Sequence, residues 1–254
     1  LNWLIQFIEW KQVDNMEKII LSIFVPCYNE EKNITKSLNN IKEAVQNISY
    51  EILVADDGSK DKSVLMIENF KKENPNLNIK IFTNQKNQGL GFNYYDKAHK
   101  ASGKYYMLVN GDAVDLPSEI KKIINNIGKA DMVLPYFIDR RNIFRKIISK
   151  LFVIILRLIT FTNLKYYNGQ ALHLLENVKM YGGKASGFAY QAELIAALIL
   201  RKKTYIEVEI VPAFRLYGST SAFTFRNVLS VGKSIFIIFY NQITYLIKNI
   251  LRLN

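Results

Sequence analysis

The feature that most constrains this chain is an alternation that begins at Ile19. Short, continuously apolar runs alternate with segments of helical spacing, and several of the runs end in a polar cluster. Residues 19–25 (IILSIFV) predict a strand, and 30–47 a helix with Ile34, Leu38, Ile41 and Val45 on one face. A second strand is expected over 50–55 (YEILVA) and a second helix over 61–73. Residues 78–83, 89–101 and 105–109 continue as strand, helix and strand, followed by a helix over 118–127 and a strand over 131–135. Strands apolar on both faces must be covered on both, and helices between successive strands make those strands parallel. The expected class is therefore α/β, a mostly parallel central sheet flanked by helices. Such sheets bind ligands at the carboxyl ends of their strands. Three polar clusters fall there: 26–30, 56–59 and 110–115.

Charge narrows the partners. Against 22 acidic residues the chain carries 34 basic ones, a formal charge of +12, which favours a polyanionic neighbour. Nucleic acid is not expected, because no RNP-like strand and no strand face interleaving aromatic with basic residues is present. A single cysteine, Cys27, excludes an intramolecular disulfide and is compatible with a reducing compartment. With His99 and His173 as the only histidines, a His-rich metal site is not expected. An apolar run such as 151–156 falls well short of the about 20 residues that a membrane span requires.

Four motifs follow one another in order: VPCYNE (25–30), ILVADDGSKD (52–61), NQGLGFNY (87–94) and VNGDAVDLPSE (109–119). Each alone is weak, since Asp56-Asp57-Gly58-Ser59 also suits a helix-capping turn. Together they resemble the family 2 glycosyltransferases over roughly residues 20–220. The resemblance implies a GT-A nucleotide-sugar-binding fold and a UDP- or GDP-sugar donor. It also implies that Asp57 and Asp56 accept hydrogen bonds from base and ribose, with Pro26, Tyr28, Glu30 and Gly89 framing the same pocket. A divalent cation, Mg²⁺ or Mn²⁺, is expected on the element after the fourth strand. Family members place Asp-x-Asp there, whereas this chain has Asn110-Gly111-Asp112. Asp112 stands at the position of the metal-binding acid, Asn110 offers a neutral carbonyl to metal or ribose, and Asp115 is a candidate for the missing charge.

The second half of the chain is more apolar and more basic. Asn168-Gly169-Gln170 resembles the acceptor-side loop of the family, and GFAYQAELIAALI (187–199) the helix that carries an acid near the acceptor. Gln191 and Glu193 are the candidates on that helix. Glu193 is either a general base or a solvated or capping residue. FRLYGSTS (214–221) resembles the R-x-x-G-x-S element of the dolichyl- and undecaprenyl-phosphate branch, which implies phosphate contacts from Arg215 and Ser219. Arg140 and Arg141 head a basic segment resembling one in the same branch. Beyond it, Lys146, Lys150 and Arg157 fall within about 40° on a helix whose remaining circumference over 147–159 is almost wholly apolar. The tail, 228–253, repeats the pattern with Lys233, Asn241, Lys248 and Arg252. Both segments read as amphipathic helices lying in a membrane interface, against the alternatives of a buried core helix and an oligomer contact.

The expected organisation is an N-terminal helical arm (1–18), a main domain (19–220) and a C-terminal amphipathic segment (221–254). The expected activity is inverting transfer of a sugar to a polyprenyl phosphate on an anionic membrane, at its cytoplasmic face. Asp112, Arg215 and Glu193 are the catalytic candidates. Two alternatives stand beside it: transfer to a saccharide or protein hydroxyl with Glu193 as base, and a sugar-nucleotide binder without turnover.

Overall fold

The computed structural model describes residues 18–137, 143–167, 169–181, 187, 189–211, 213 and 225–252. Seven strands form one sheet: β1 (Leu21–Cys27), β2 (Tyr50–Asp56), β3 (Ile79–Thr83), β4 (Tyr105–Leu108), β5 (Met132–Phe137), β6 (Leu172–Leu174) and β7 (Tyr205–Ile210). Their order across the sheet is β3-β2-β1-β4-β6-β5-β7. β6 is antiparallel to both of its neighbours, and the other pairings are parallel. The mostly parallel sheet expected from the alternation is therefore present. No separate strand is expected from the sequence at β6 or β7.

Eight helices accompany the strands in the described residues: α1 (Ile34–Ala44), α2 (Ser63–Glu73), α3 (Leu90–Lys100), α4 (Pro117–Ile124), α5 (Ile143–Thr160), α6 (Leu175–Tyr181), α7 (Tyr190–Leu200) and α8 (Phe225–Arg252). Consecutive side chains of β1 point to opposite faces. Ile23 and Val25 meet Ile34 and Leu38 of α1, Ile67 of α2 and Ile120 of α4, while Phe24 joins Tyr94 of α3, Leu156 of α5, Leu194 of α7 and Ile238 of α8. Burying each such aliphatic or aromatic side chain contributes about 1.5–3 kcal/mol, so two apolar layers hold the sheet between them. The second layer is rich in tyrosine: the Tyr94 ring lies 4.9 Å from that of Tyr106 and 5.0 Å from that of Tyr190.

One detail differs from the sequence expectation. The first helix begins at Ile34 rather than Glu30, because the Glu30 carbonyl accepts the N–H groups of Asn33 and Ile34 and residues 30–33 close as a turn. The expected C-terminal helix is present as α8, and its Ile238 sits in the same core cluster as Phe24. The expected arm over 1–17 lies outside the described residues.

Candidate active site

Sheet register brings the polar strand ends together. Cys27 and Asp56 are paired neighbours, as are Phe24 and Leu108, so the segments leaving β1, β2 and β4 emerge side by side. The Asp57 N–H donates to the Cys27 carbonyl at 2.8 Å and the Val109 N–H to the Phe24 carbonyl at 3.0 Å, which carries the pairing past the strands.

The first two loops are laced to each other. The Asn29 N–H donates to Ser59 Oγ (2.8 Å), the Glu30 N–H to Ser63 Oγ (2.8 Å) and the Glu31 N–H to Asp61 Oδ2 (3.1 Å). In the reverse direction the Lys60 N–H donates to Asn29 Oδ1 and the Lys62 N–H to Glu31 Oε2. Burial raises the Asp61 carboxyl, but hydrogen bonds from Ser63 and Glu31 outweigh it and hold the group below the usual carboxylate range. Pro26 and the half-buried Glu30 lie in this frame, and Tyr28 projects from it with 48 % of its surface exposed. Burial pushes the Cys27 thiol up to about 12, which makes it a core residue rather than a nucleophile.

The two acids after β2 have different surroundings. Asp57 Oδ1 accepts from Asn84 Nδ2 and the Gln88 N–H, both at 2.8 Å, and Oδ2 accepts from the Gly89 N–H at 2.9 Å. Burial raises this group, and those donors pull it below its ordinary value. Asp57 thus fastens the loop before α3, where Gly89 has φ of +92°, a conformation that favours glycine. Asp56 is equally buried, yet only its Oδ2 is engaged, by the Ser59 N–H at 3.2 Å. Its Oδ1 meets no donor among the described residues. Of the two, Asp56 keeps the acceptor that a bound base or ribose would need.

After β4 the chain turns sharply over the end of β1. A Cβ on Gly111 would lie 2.3 Å from the Pro26 carbonyl oxygen, so only glycine passes there. Asn110 donates to Asp115 Oδ2 twice, from its N–H at 2.6 Å and its Nδ2 at 3.0 Å, and Gln170 Nε2 donates to Oδ1. Burial pushes the Asp115 carboxyl up to about 7; the nearby Asp112 adds to this, and the Asn110 donors oppose it. Both oxygens of Asp115 thus accept hydrogen bonds from within the protein. Asp112 is half-buried in the same turn, and Asn110, its amide nitrogen committed to Asp115, turns only Oδ1 to a ligand. The described residues contain no group of three or more His, Cys, Asp or Glu side chains able to hold a metal. A hard cation at Asp112 would need phosphate and water oxygens to complete its shell, as such cations commonly do.

On the acceptor side, both candidate residues are enclosed. Gln191 is 3 % exposed, with Oε1 3.1 Å from His173 Nε2 on β6, so it joins helix to sheet. Glu193 is also 3 % exposed; Ser234 of α8 donates to its Oε1 at 2.5 Å and Tyr181 of α6 to its Oε2 at 3.4 Å. Burial raises its carboxyl above the usual range. It links three helices rather than standing open as a base. One signal in the sequence pointed this way: a helix apolar all round is a buried helix, and its few polar residues are buried with it. Arg140, Arg141, Arg215, Ser219 and Asn168 lie outside the described residues. Ala213, two positions before Arg215, donates its N–H to the Val114 carbonyl at 2.8 Å, so the chain leaving β7 is pinned to the Asn110–Asp115 turn.

The helices of the second half expose hydrocarbon. On α5, Ile147, Leu151, Ile154 and Leu158 are exposed and fall within about 60° of one another, with Lys150 beside them. On α8, Leu229, Phe236, Tyr240, Ile243, Ile247 and Leu251 form a comparable exposed stripe, with Lys233 at its edge. Among the described residues no helix is long and apolar enough to cross a membrane.

Comparison with known proteins agrees with this architecture. The sequence model of Glycosyl transferase family 2 matches residues 22–189. The chain is 29 % identical over 127 residues to a dolichyl-phosphate beta-glucosyltransferase of Dictyostelium discoideum, covering 46 % of this chain and 39 % of that protein. It is 29 % identical over 107 residues to a dolichol-phosphate mannosyltransferase of Pyrococcus furiosus, covering 42 % and 30 %. The match thus spans well under half the length of these two relatives. An uncharacterized protein of Methanocaldococcus jannaschii is 27 % identical over 83 % of this chain and 95 % of its own length. Among solved structures, glucosyl-3-phosphoglycerate synthase of Mycobacterium tuberculosis, bound to Mn²⁺, UDP and glucosyl-3-phosphoglycerate, superposes with a TM-score of 0.65 at 14 % identity, covering 88 % of this chain and 80 % of its own. A mannosyltransferase of Pyrobaculum calidifontis, bound to GDP-Man and Mn²⁺, gives 0.57 at 16 %, covering 84 % and 64 %.

Proposed function

The chain belongs to glycosyl transferase family 2, and on that premise we propose that it moves a sugar from a nucleoside-diphosphate donor to a polyprenyl phosphate at a membrane surface. The observation that carries the acceptor class is the pair of outward apolar stripes on α5 and α8, each with lysine beside it. Such faces suit a helix lying in the headgroup region, where an acceptor lipid presents its phosphate. Relatives named for dolichyl or dolichol phosphate point to the same acceptor. The free Cys27 suits the reducing, cytoplasmic side of that membrane.

In this reading the buried Asp56 Oδ1 accepts a hydrogen bond from the base or ribose, and the exposed Tyr28 ring lies alongside. Asp112, with Asn110 Oδ1, holds the divalent cation. When bound, Mg²⁺ or Mn²⁺ neutralises charge on the departing diphosphate. Arg215, Ser219, Arg140 and Arg141 take the acceptor phosphate; their assignment rests on sequence. An oxygen of that phosphate forms its bond to the anomeric carbon as the bond to the diphosphate breaks, with inversion. The acceptor is ionised at neutral pH, so the displacement needs no base, in keeping with an enclosed Glu193.

The test is a transfer assay with labelled UDP- and GDP-sugars, Mg²⁺ or Mn²⁺, and polyprenyl phosphate in detergent. Label should enter the chloroform-soluble fraction and fall roughly 100-fold or more in Asp112→Ala. Label confined to soluble glycan would refute the lipid acceptor. Nucleotide binding without turnover on any acceptor class would instead indicate a binder that does no chemistry.

A further inference from the structure

The turn that carries Asp112 is held by a bracket of hydrogen bonds, some within it and others from α1 and from the segment before β6. Asp115 Oδ2 receives both the N–H and the side-chain amide of Asn110, and its Oδ1 receives Gln170 Nε2 from the segment leading into β6. From α1, Ser37 Oγ donates to the Asn110 carbonyl at 2.6 Å and Asn40 Nδ2 to the Asp115 carbonyl at 2.9 Å. Within the turn Ala113 adopts φ of +59°, which a residue with a side chain seldom holds unless its surroundings impose it. Asp115 and Gln170 are both buried.

We propose that Asp115 and Gln170 are positioning residues for the donor site, and that Asn110 and Asp115 are a matched pair in which a neutral amide at 110 is the condition for a carboxylate at 115. The proposal rests on the donor-site reading given above. Its chemistry is simple. Asp115 Oδ2 accepts both of its contacts from residue 110, so the side chain facing it supplies a donor. The Asn110 amide is that donor and keeps its Oδ1 for ligand. An acid at 110 would put an acceptor where Asp115 Oδ2 now meets a donor, at the present 3.0 Å contact. The neutral residue at 110 is then no simple loss of a metal ligand. It belongs to an arrangement that trades one ligand charge for a fixed turn. Gln170 extends the bracket to the acceptor-side loop, so both sides of the site share one carboxylate.

The experiment uses the full chain, with Mn²⁺ binding measured by electron paramagnetic resonance in the presence of UDP and, separately, GDP. The urea unfolding midpoint is recorded for every variant. Asp115→Ala should weaken nucleotide-dependent Mn²⁺ binding roughly 10- to 100-fold, the usual effect of removing a group that orients a metal ligand. Asn110→Asp alone should weaken binding, although it adds an acid to the metal site. In Asn110→Asp/Asp115→Ala the facing acceptor is gone, so the added acid should cost no further Mn²⁺ binding beyond Asp115→Ala alone. Tighter Mn²⁺ binding by Asn110→Asp, or the same loss from that substitution with and without Asp115, would overturn the matched pair. If Asp115→Ala fails to fold, Asn110→Ala decides instead, because the matched pair requires Asn110→Asp to bind Mn²⁺ less tightly than alanine at the same position. Failure of the unaltered protein to bind Mn²⁺ with either nucleotide would overturn the donor-site reading itself and the bracket with it, a result distinct from any variant effect.

Discussion

The loops leaving β1, β2 and β4 answer one another with hydrogen bonds, whereas α5 and α8 turn bare hydrocarbon outward. In the first region Ser59, Asp61, Ser63 and Asp57 each accept a backbone N–H from a neighbouring loop, and Asp115 accepts one within its own turn, which fixes the strand ends. In the second, side chains such as Leu158 and Phe236 stand exposed along a stripe. Polar recognition is directional and demands groups held in place, so a donor site is built in advance. Hydrophobic association is non-directional and roughly proportional to area, so a surface for lipid needs only extent and charged edges. In the proposed function one chain carries both, and they should fail independently.

The largest expected effect separates them. Leu158 and Phe236 are 70 % and 68 % exposed, so glutamate at both leaves the folded core untouched. Each side chain contributes about 1.5–3 kcal/mol when fully buried. Leu158→Glu/Phe236→Glu should therefore lower adhesion to phosphatidylglycerol-containing vesicles by at least roughly 100-fold, with nucleotide-dependent Mn²⁺ binding unchanged. Vesicle flotation measures the first and paramagnetic resonance the second. Undiminished adhesion would mean that these stripes cover something other than lipid.

A second prediction sharpens the seam between the regions. His173 lies on β6, the strand between β4 and β5. It is fully buried, and its Nε2 faces Gln191 Oε1, an acceptor, so the neutral ring carries its proton on Nε2. Burial lowers its pKa from 6.5 to about 4. Below pH 6.5 the unfolded chain takes up a proton that the folded one refuses. The stability due to the neutral ring is thus complete above pH 6.5 and is lost as pH falls toward 4, an effect of about 3 kcal/mol. Urea unfolding at pH 7 and pH 4.5 should show a smaller acid loss for His173→Gln than for the parent. Equal losses would mean that the ring is protonated in the folded protein.

The same division decides what could be read before the fold was known. β1, β2 and β4 and the loops after them follow from largely apolar runs ending in polar residues such as Asp, Asn, Gly and Ser, where local chemistry and tertiary role coincide. β7 (YIEVEI) carries a readable signal in its strict alternation of apolar and acidic residues, the pattern of a strand half-covered at a sheet edge. β6 carries none, since three residues show no period. Partners far apart in sequence were also out of reach. Asp115 stands beside Asp112 in the chain and reads as a spare charge, but Gln170, 55 positions away, and Asn110 occupy its oxygens. Asp57 and Asp56 look interchangeable in sequence and differ only because the loop over 84–89 folds back onto Asp57.

The smallest expected effect falls on Glu193, where the two regions would meet if an acid had to activate the acceptor. Its carboxylate is held by Ser234 of α8 and Tyr181 of α6 and is nearly closed to solvent. Glutamine keeps one acceptor oxygen and the side-chain length, so Glu193→Gln should cost about 1–2 kcal/mol of stability through the second, mismatched contact. Turnover with polyprenyl phosphate should stay within roughly threefold of the parent, well short of the 10²–10⁴-fold that removal of a general base costs. The comparison is sharp because stability and rate part company. A residue that only joins α7 to α8 lowers the unfolding midpoint and spares the rate. A base does the reverse, and a 100-fold loss of turnover at an unchanged midpoint would return the acceptor to the hydroxyl class.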